Sequence, residues 1–445
     1  FGPRSCRQLE QGSSPAVAPH WPGPRAMVLK WRSMLDFCTG LEEEAVPGKC
    51  SPQCGGSGLS WHWAQRRGAC DLLPWCGVED VSEWPAAEDV PMPLGEEDLK
   101  PITQEDLDLS MERLSVGIRP WEPRNFSFVR HLQEALGNHG SVEMMQSSLH
   151  EGRFVAVKRM PNKWVSVGHK EFRRRYPMSP ELPWVDLGML RQLNHRCFPY
   201  ACDLLGVFGD SESTYVVSSL ARCGDLLSWC ARPPTLGPER EELMRPITAQ
   251  ICVAARWLHE LGIAHRDFSP ENVLLTDDGA EMQIRLVDFG MSTASRRCCR
   301  EVRGKEAFQA PEMHGEDPYD AFLADAFQLG VLLFAMAGRQ RPWNSTRPGA
   351  CRRFGQFAAD GELLKSNAGP LAGCSPALLE LLEGLLAPDP SRRLTLGESC
   401  FAEDHRPSVW TAAWLREVGE ALWLRWPWRV GAASEAEAPR RGPPM

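Results

Sequence analysis

Four polar side chains at fixed spacing constrain this 445-residue chain more than any other feature. In His265-Arg266-Asp267-Phe268-Ser269-Pro270-Glu271-Asn272 an aspartate precedes an asparagine by five residues. That spacing lets a carboxylate reach a substrate hydroxyl while the amide reaches a metal ion. Sixteen residues after Asn272 stands Asp288-Phe289-Gly290, just behind Ile284–Val287, which reads as a strand. A second metal-binding carboxylate therefore lies at a strand end. Upstream, Phe154-Val-Ala-Val-Lys158-Arg-Met160 alternates as a half-buried strand does, and it carries a lysine. Ala310-Pro311-Glu312 completes the series. Any one of these motifs arises by chance; their order and spacing together hardly do.

Composition excludes other classes. At 43% hydrophobic and 24% charged, the whole chain cannot be disordered, collagen-like or built on heptads. No stretch approaches the ~18 consecutive apolar residues of a spanning helix, and we expect no transmembrane segment. The net charge of -9 argues against a chain-wide nucleic-acid footprint. Between Glu79 and Glu112 stand twelve Asp and Glu against one Lys, so the acidity belongs to that segment. The sixteen cysteines form no CxxC, and a reduced chain is expected. Cys50, Cys54, Cys70 and Cys76, with His62 between them, admit a zinc module, but their spacing misses the usual knuckles and scattered thiols are the plainer reading. Phe1–Trp21 lacks the apolar core of a secretory signal. The start on Phe suggests a fragment or an uncertain gene start, with Met27 as a candidate initiator, and the expected location is cytoplasmic or nuclear.

Residues 1–120 read as a poorly ordered Cys- and Trp-containing extension with an acidic linker. Beyond them, Val185–Leu193 has helical spacing, Tyr215–Leu220 reads as a strand, and Met244–Leu261 and Ala324–Ala337 read as buried helices. Early strands followed mostly by helices make an α+β arrangement in two lobes.

Over about residues 124–405 the motifs together resemble the eukaryotic protein kinase superfamily. The resemblance implies a bilobal kinase-like fold, with a β-rich N-lobe over 124–217 and a helical C-lobe over 221–405. Residues 406–445 follow as a Trp-rich helix and tail. It further implies ATP, Mg²⁺ and protein substrates, with Lys158 on the α/β-phosphates, Asn272 and Asp288 on the metal, and Asp267 on the substrate hydroxyl. A glycine-rich loop is expected before Lys158, and Ala135-Leu-Gly137-Asn-His-Gly140-Ser-Val142 keeps two of its three glycines and the valine. Ala156 and Leu274 are expected to bind the nucleotide. In Tyr215-Val-Val-Ser218-Ser219-Leu220, Ser218 falls at the gatekeeper of the hinge, and Asp225 follows within reach of the ribose. Asp325 and the Asp389-Pro390-x-x-Arg393 run resemble scaffold positions, Arg393 being the expected partner of Glu312. The Pro270-Glu271-Asn272 ending resembles Ser/Thr rather than Tyr kinases.

Several positions depart from the family pattern. The helix residue that should pair with Lys158 falls on Asp186, shorter than the usual glutamate, with Glu181 as the alternative. Ser269 replaces a lysine usual two residues after the catalytic aspartate, while Lys305 replaces a threonine after Gly304. This suggests a swap in which Lys305 supplies the missing cation; a solvent-facing Lys305 is the plainer reading. Both variants resemble those of divergent protist kinases. Glu301 stands where a phosphorylated residue is usual, near Arg296, Arg297, Arg300 and Arg303, with Thr293 and Ser295 as nearby phosphosite candidates. This suggests an activation loop partly ordered without phosphorylation. Trp410, Trp414, Val418, Leu422 and Trp426 form a stripe that suits packing on the large lobe, with partner docking through it or through residues 1–120 as the other reading. A pseudokinase scaffold and a small-molecule phosphotransferase are the alternatives to a protein kinase.

Overall fold

The computed structural model describes residues 100–416 and 418, apart from 136–139, 233, 235, 278–281 and 362–368. All of these fall within one unit, Ser60–Met445. The zinc reading, Gly137, Leu422 and Trp426 lie outside the described residues. In chain order the main elements are α1 (Gln104–Val116), β1 (Arg119–Pro120), β2 (Phe126–Ala135), β3 (Gly140–Ser147), β4 (Arg153–Pro161), α2 (Asn162–Val165), α3 (His169–Arg175) and α4 (Pro183–His195). β5 (Leu204–Gly209), β6 (Ser213–Ser219), α5 (Leu226–Cys230), α6 (Pro238–Glu260), β7 (Val273–Asp277) and β8 (Met282–Leu286) follow. β9 (Arg297–Cys298), β10 (Tyr319–Asp320), α7 (Ala321–Gly338), α8 (Arg352–Asp360) and α9 (Pro376–Leu385) complete the set.

Six strands form one sheet in the order β1-β5-β6-β4-β3-β2, with β1 parallel to β5 and the other pairs antiparallel. Period-two alternation sets its two faces. Val155 and Val157 of β4 are buried with Phe126, Met145, Phe208, Tyr215 and Val217. Ala156 and Lys158 point to the opposite face. From Leu226 onward helices dominate, joined by the β7–β8 hairpin and the two-residue β9–β10 pair. This is the bilobal α+β kinase fold.

Two helices differ in extent from their sequence pattern. α6 starts at Pro238, ahead of Met244, because proline suits a first helical position, and it continues through Pro246 with a long buried face. α7 has 18 residues and is long and apolar enough to cross a membrane, yet every one of them is buried within the protein. Its Asp325 and Gln328 organise a neighbouring loop, so α7 is the core helix of the large lobe.

Residues 100–120, grouped above with the extension, contain a helix. Thr103 caps α1, accepting a bond from the Asp106 N–H while its own N–H donates to the Asp106 carboxylate. The acidic residues that suggest disorder occupy one face, and Leu107, Met111 and Leu114 are buried on the other. Trp410 and Trp414 pack on the large lobe, their indole N–H groups donating to Leu396 O and to the Glu241 carboxylate.

Candidate active site

Lys158 leaves β4 on the face opposite the valine core, and its Nζ donates to Asp186 Oδ2 at 3.0 Å. Asp186 Oδ1 accepts the Phe289 N–H at 2.9 Å. One carboxylate thus joins the β4 lysine to the segment after β8, and Asp186 rather than Glu181 is the partner. Burial opposes the charge on Lys158, but Asp186 and Asp288 outweigh it and hold the ammonium above its ordinary pKa. Glu181 lies beside Gly290, and burial pushes its carboxyl up to about 7 against the pull of Lys158.

The loop carrying Asp267 is held by α7. Asp325 accepts the N–H groups of His265 and Arg266 at 2.7 and 2.8 Å. Gln328, one turn further on the same face, accepts the Phe268 N–H and donates to Arg266 O. Sequence reasoning missed Gln328, although its i+3 spacing from Asp325 is a readable signal. Arg266 and Asp288 both have positive φ, 63° and 66°, a strain of about 1–3 kcal/mol each that such networks sustain.

Asn272 Nδ2 donates to Asp267 Oδ2 at 2.9 Å. That leaves the Asn272 amide oxygen, with the Asp288 carboxylate, as the hard donors a Mg²⁺ ion takes. Among the described residues no cluster of three or more His, Cys, Asp or Glu is placed to hold a metal. A two-donor set suits Mg²⁺, which completes its shell with phosphate oxygens and water. The site therefore fits the ion.

Lys305 meets Asp267 twice, its backbone N–H donating to Oδ1 at 3.1 Å and its Nζ standing 3.5 Å from Oδ2. Nζ also donates to Ser269 Oγ at 2.5 Å. Gly304 makes this approach feasible: it has φ +82°, and a Cβ there would lie 2.7 Å from Arg266 O. Burial raises the pKa of Asp267 despite the lysine. It opposes the charge of Lys305, which Asp267 and Glu271 nonetheless hold above its ordinary value. Ser269 and Lys305, the two positions that depart from the family pattern, are thus in direct contact.

Residues 132–404 match the protein kinase domain family. The chain belongs to the eukaryotic protein kinase superfamily. It is similar to the serine/threonine-protein kinase CHK1 of Saccharomyces cerevisiae, 32% identical over 214 residues, 46% of this chain and 39% of that protein. CBL-interacting protein kinase 22 of Oryza sativa subsp. japonica is 29% identical over 235 residues, 51% and 47% of the two chains. Serine/threonine-protein kinase RAD53 of Saccharomyces cerevisiae is 26% identical over 231 residues, 48% and 26%. The aligned part thus spans between a quarter and a half of these relatives' lengths.

The other expected residues that are described take the following positions. Val142 lies across from Lys158, and Ala156 across from Ser218, all half-buried. Ser219 Oγ accepts the Asp203 N–H, and half-buried Leu220 follows β6. Gly140 is buried and pairs with Ala135 at the base of the β2–β3 turn. Leu274 bridges to Asp225. Asp225, expected at the ribose, also caps α5, Oδ1 accepting the Ser228 N–H at 2.7 Å, which leaves Oδ2 for other work.

Around the activation segment, Arg266 Nη1 donates to Glu301 at 2.8 Å, with Arg303 3.6 Å away on the same oxygen. Arg296 pairs with Asp320 and Arg300 with Glu316, so only part of the arginine cluster meets Glu301. Arg393, fully buried, grips Glu312 with both terminal nitrogens.

Proposed function

We propose that this kinase transfers the γ-phosphate of ATP to serine or threonine hydroxyls of protein substrates, through a catalytic domain over 124–405 acting in the cytoplasm or nucleus. Lys158 would hold the α/β-phosphates, and Asp267 would orient the acceptor hydroxyl and take its proton at the carboxylate. Asn272 and Asp288 would hold Mg²⁺, which when bound supplies positive charge against the phosphate oxygens. Lys305 would add a cation beside the transferred group, in the place that Ser269 leaves without one. Such chemistry is mainly positioning and charge stabilisation.

One observation carries the reading. Lys158, Asp186 and the Phe289 N–H form an unbroken connection at 3.0 and 2.9 Å, and the ion pair within it is one of the parts on which phosphate transfer in this family depends. The names of the relatives, serine/threonine kinases among them, support the acceptor class. The test is transfer of label from γ-labelled ATP with Mg²⁺ to a generic protein substrate. Label on serine and threonine that falls at least about 10²-fold in Asp267→Asn supports the reading. ATP binding without turnover would instead make the chain a scaffold, and label on a small molecule alone would make it a small-molecule phosphotransferase.

A further inference from the structure

α4 lies between the active site and α1. Asp186 and Gly188 are two residues apart, so on a helix of 3.6 residues per turn they point about 200° away from each other. Asp186 faces Lys158, and Gly188 faces α1. The helices approach so closely there that a Cβ on Gly188 would lie 2.8 Å from Leu107 Cδ1 and 2.8 Å from Met111 Cγ. Leu107 and Met111 are both buried, at 2% and 0% exposure. Gln192, one turn along α4, donates to Asp106 O at 2.9 Å and to Ser110 Oγ at 2.7 Å.

The start of α1 is tied to the other lobe. Ile102, 2% exposed, donates its N–H to Leu261 O at 2.7 Å, and Pro101 packs on Gly262 just behind it. Arg196, after α4, donates to Lys100 O at 3.0 Å. One end of this segment is thus anchored on the turn after α6, and the rest lies along the outer face of α4.

We propose that α1 is a built-in brace that holds α4 inward, so that the short Asp186 reaches Lys158. A glutamate carries one more C–C bond, about 1.5 Å, and would bridge from a more distant helix. An aspartate at 3.0 Å requires α4 to stay close. Leu107, Met111, Ser110 and Gln192 are then positioning residues for the nucleotide-anchoring pair. The inference rests on the reading of Lys158 as the phosphate anchor.

The test uses Leu107→Ala/Met111→Ala in the full chain. Its ATP KM is expected to rise about fivefold or more, and adding Asp186→Glu is expected to return it to within about twofold of the parent. Leu378→Ala in α9, a core truncation remote from α4, is expected to leave ATP KM unchanged. An unchanged KM in a folded Leu107→Ala/Met111→Ala protein overturns the proposal, as does failure of the longer carboxylate to restore it. The milder Gln192→Ala keeps the test open if the double variant does not fold: amide exchange over 183–195 is expected to quicken, and unchanged exchange counts against the brace. Exchange is read without turnover. A chain that transfers no phosphate yet shows faster α4 exchange in Gln192→Ala refutes the phosphotransfer reading and leaves the brace standing.

Discussion

At the scale of single residues, the contact of Lys305 with Ser269 is what the proposed exchange of a lysine between these two positions requires. Lys305 Nζ touches Ser269 Oγ and stands 3.5 Å from Asp267, where it can face a transferred phosphate. Lys305→Ala is expected to lower kcat about 10²-fold, and adding Ser269→Lys to recover most of the loss. Lys163→Ala, on an exposed position, should leave kcat unchanged in the same assay. Ser218 offers a second single-residue test. Its small side chain lies across from Ala156, so an ATP analogue enlarged at the adenine amine should be used with kcat/KM within about tenfold of ATP. Ser218→Met should remove that use while ATP is still accepted. Lys158, Asp267, Asn272 and Asp288 were legible because each sits in a short motif whose local geometry depends on its immediate neighbours. The cap that Asp225 forms on α5 was not read from the sequence, because it depends on where that short helix begins.

Among the elements, α7 does two jobs that its apolar sequence only half displays. Its bulk fills the large lobe, and Asp325 and Gln328 hold the loop of Asp267. Asp325 also accepts from His259, which stacks on Phe322 and meets Glu398 through its other ring nitrogen. Burial alone would lower the pKa of His259, but the bonds to Asp325 and Glu398 raise it to about 9 from the ordinary 6.5. A raised folded-state pKa gives stability that is complete below about pH 6.5 and is lost as pH rises through about 9. The thermal midpoint should therefore fall between those values, and less steeply in His259→Gln. Arg393 also donates to Leu323 O in the first turn of α7, and Arg393→Ala, which leaves Glu312 without its partner, is expected to cost about 3–5 kcal/mol in urea unfolding. The apolar run of α7 was readable, but its polar contacts depend on a loop some sixty residues earlier in the chain. α1 was missed for a different reason: its many acidic residues mask a buried stripe of Leu107, Met111 and Leu114.

For the whole molecule, the activation segment and α1 are both held by contacts already present in the chain. Glu301 occupies Arg266 with a single charge where a phosphate would bring about 1.5–2. Phosphatase treatment is therefore expected to leave activity within about twofold, whereas Glu301→Ala lowers it about tenfold. A phosphatase-sensitive enzyme would place the control at Thr293, Ser295 or elsewhere. By itself the sequence determined the superfamily, the two-lobed α+β fold and the four polar residues of the site, because these follow from short motifs and hydrophobic periodicity. Only the tertiary structure decided that Asp186 rather than Glu181 meets Lys158, 28 residues away, and that Lys305 meets Ser269, 36 residues away. It also decided that residues 100–116 belong with α4 rather than with a solvated linker. The physical reason is the same in each case. A contact between distant parts of the chain depends on the packing of everything between them, which no local spacing encodes.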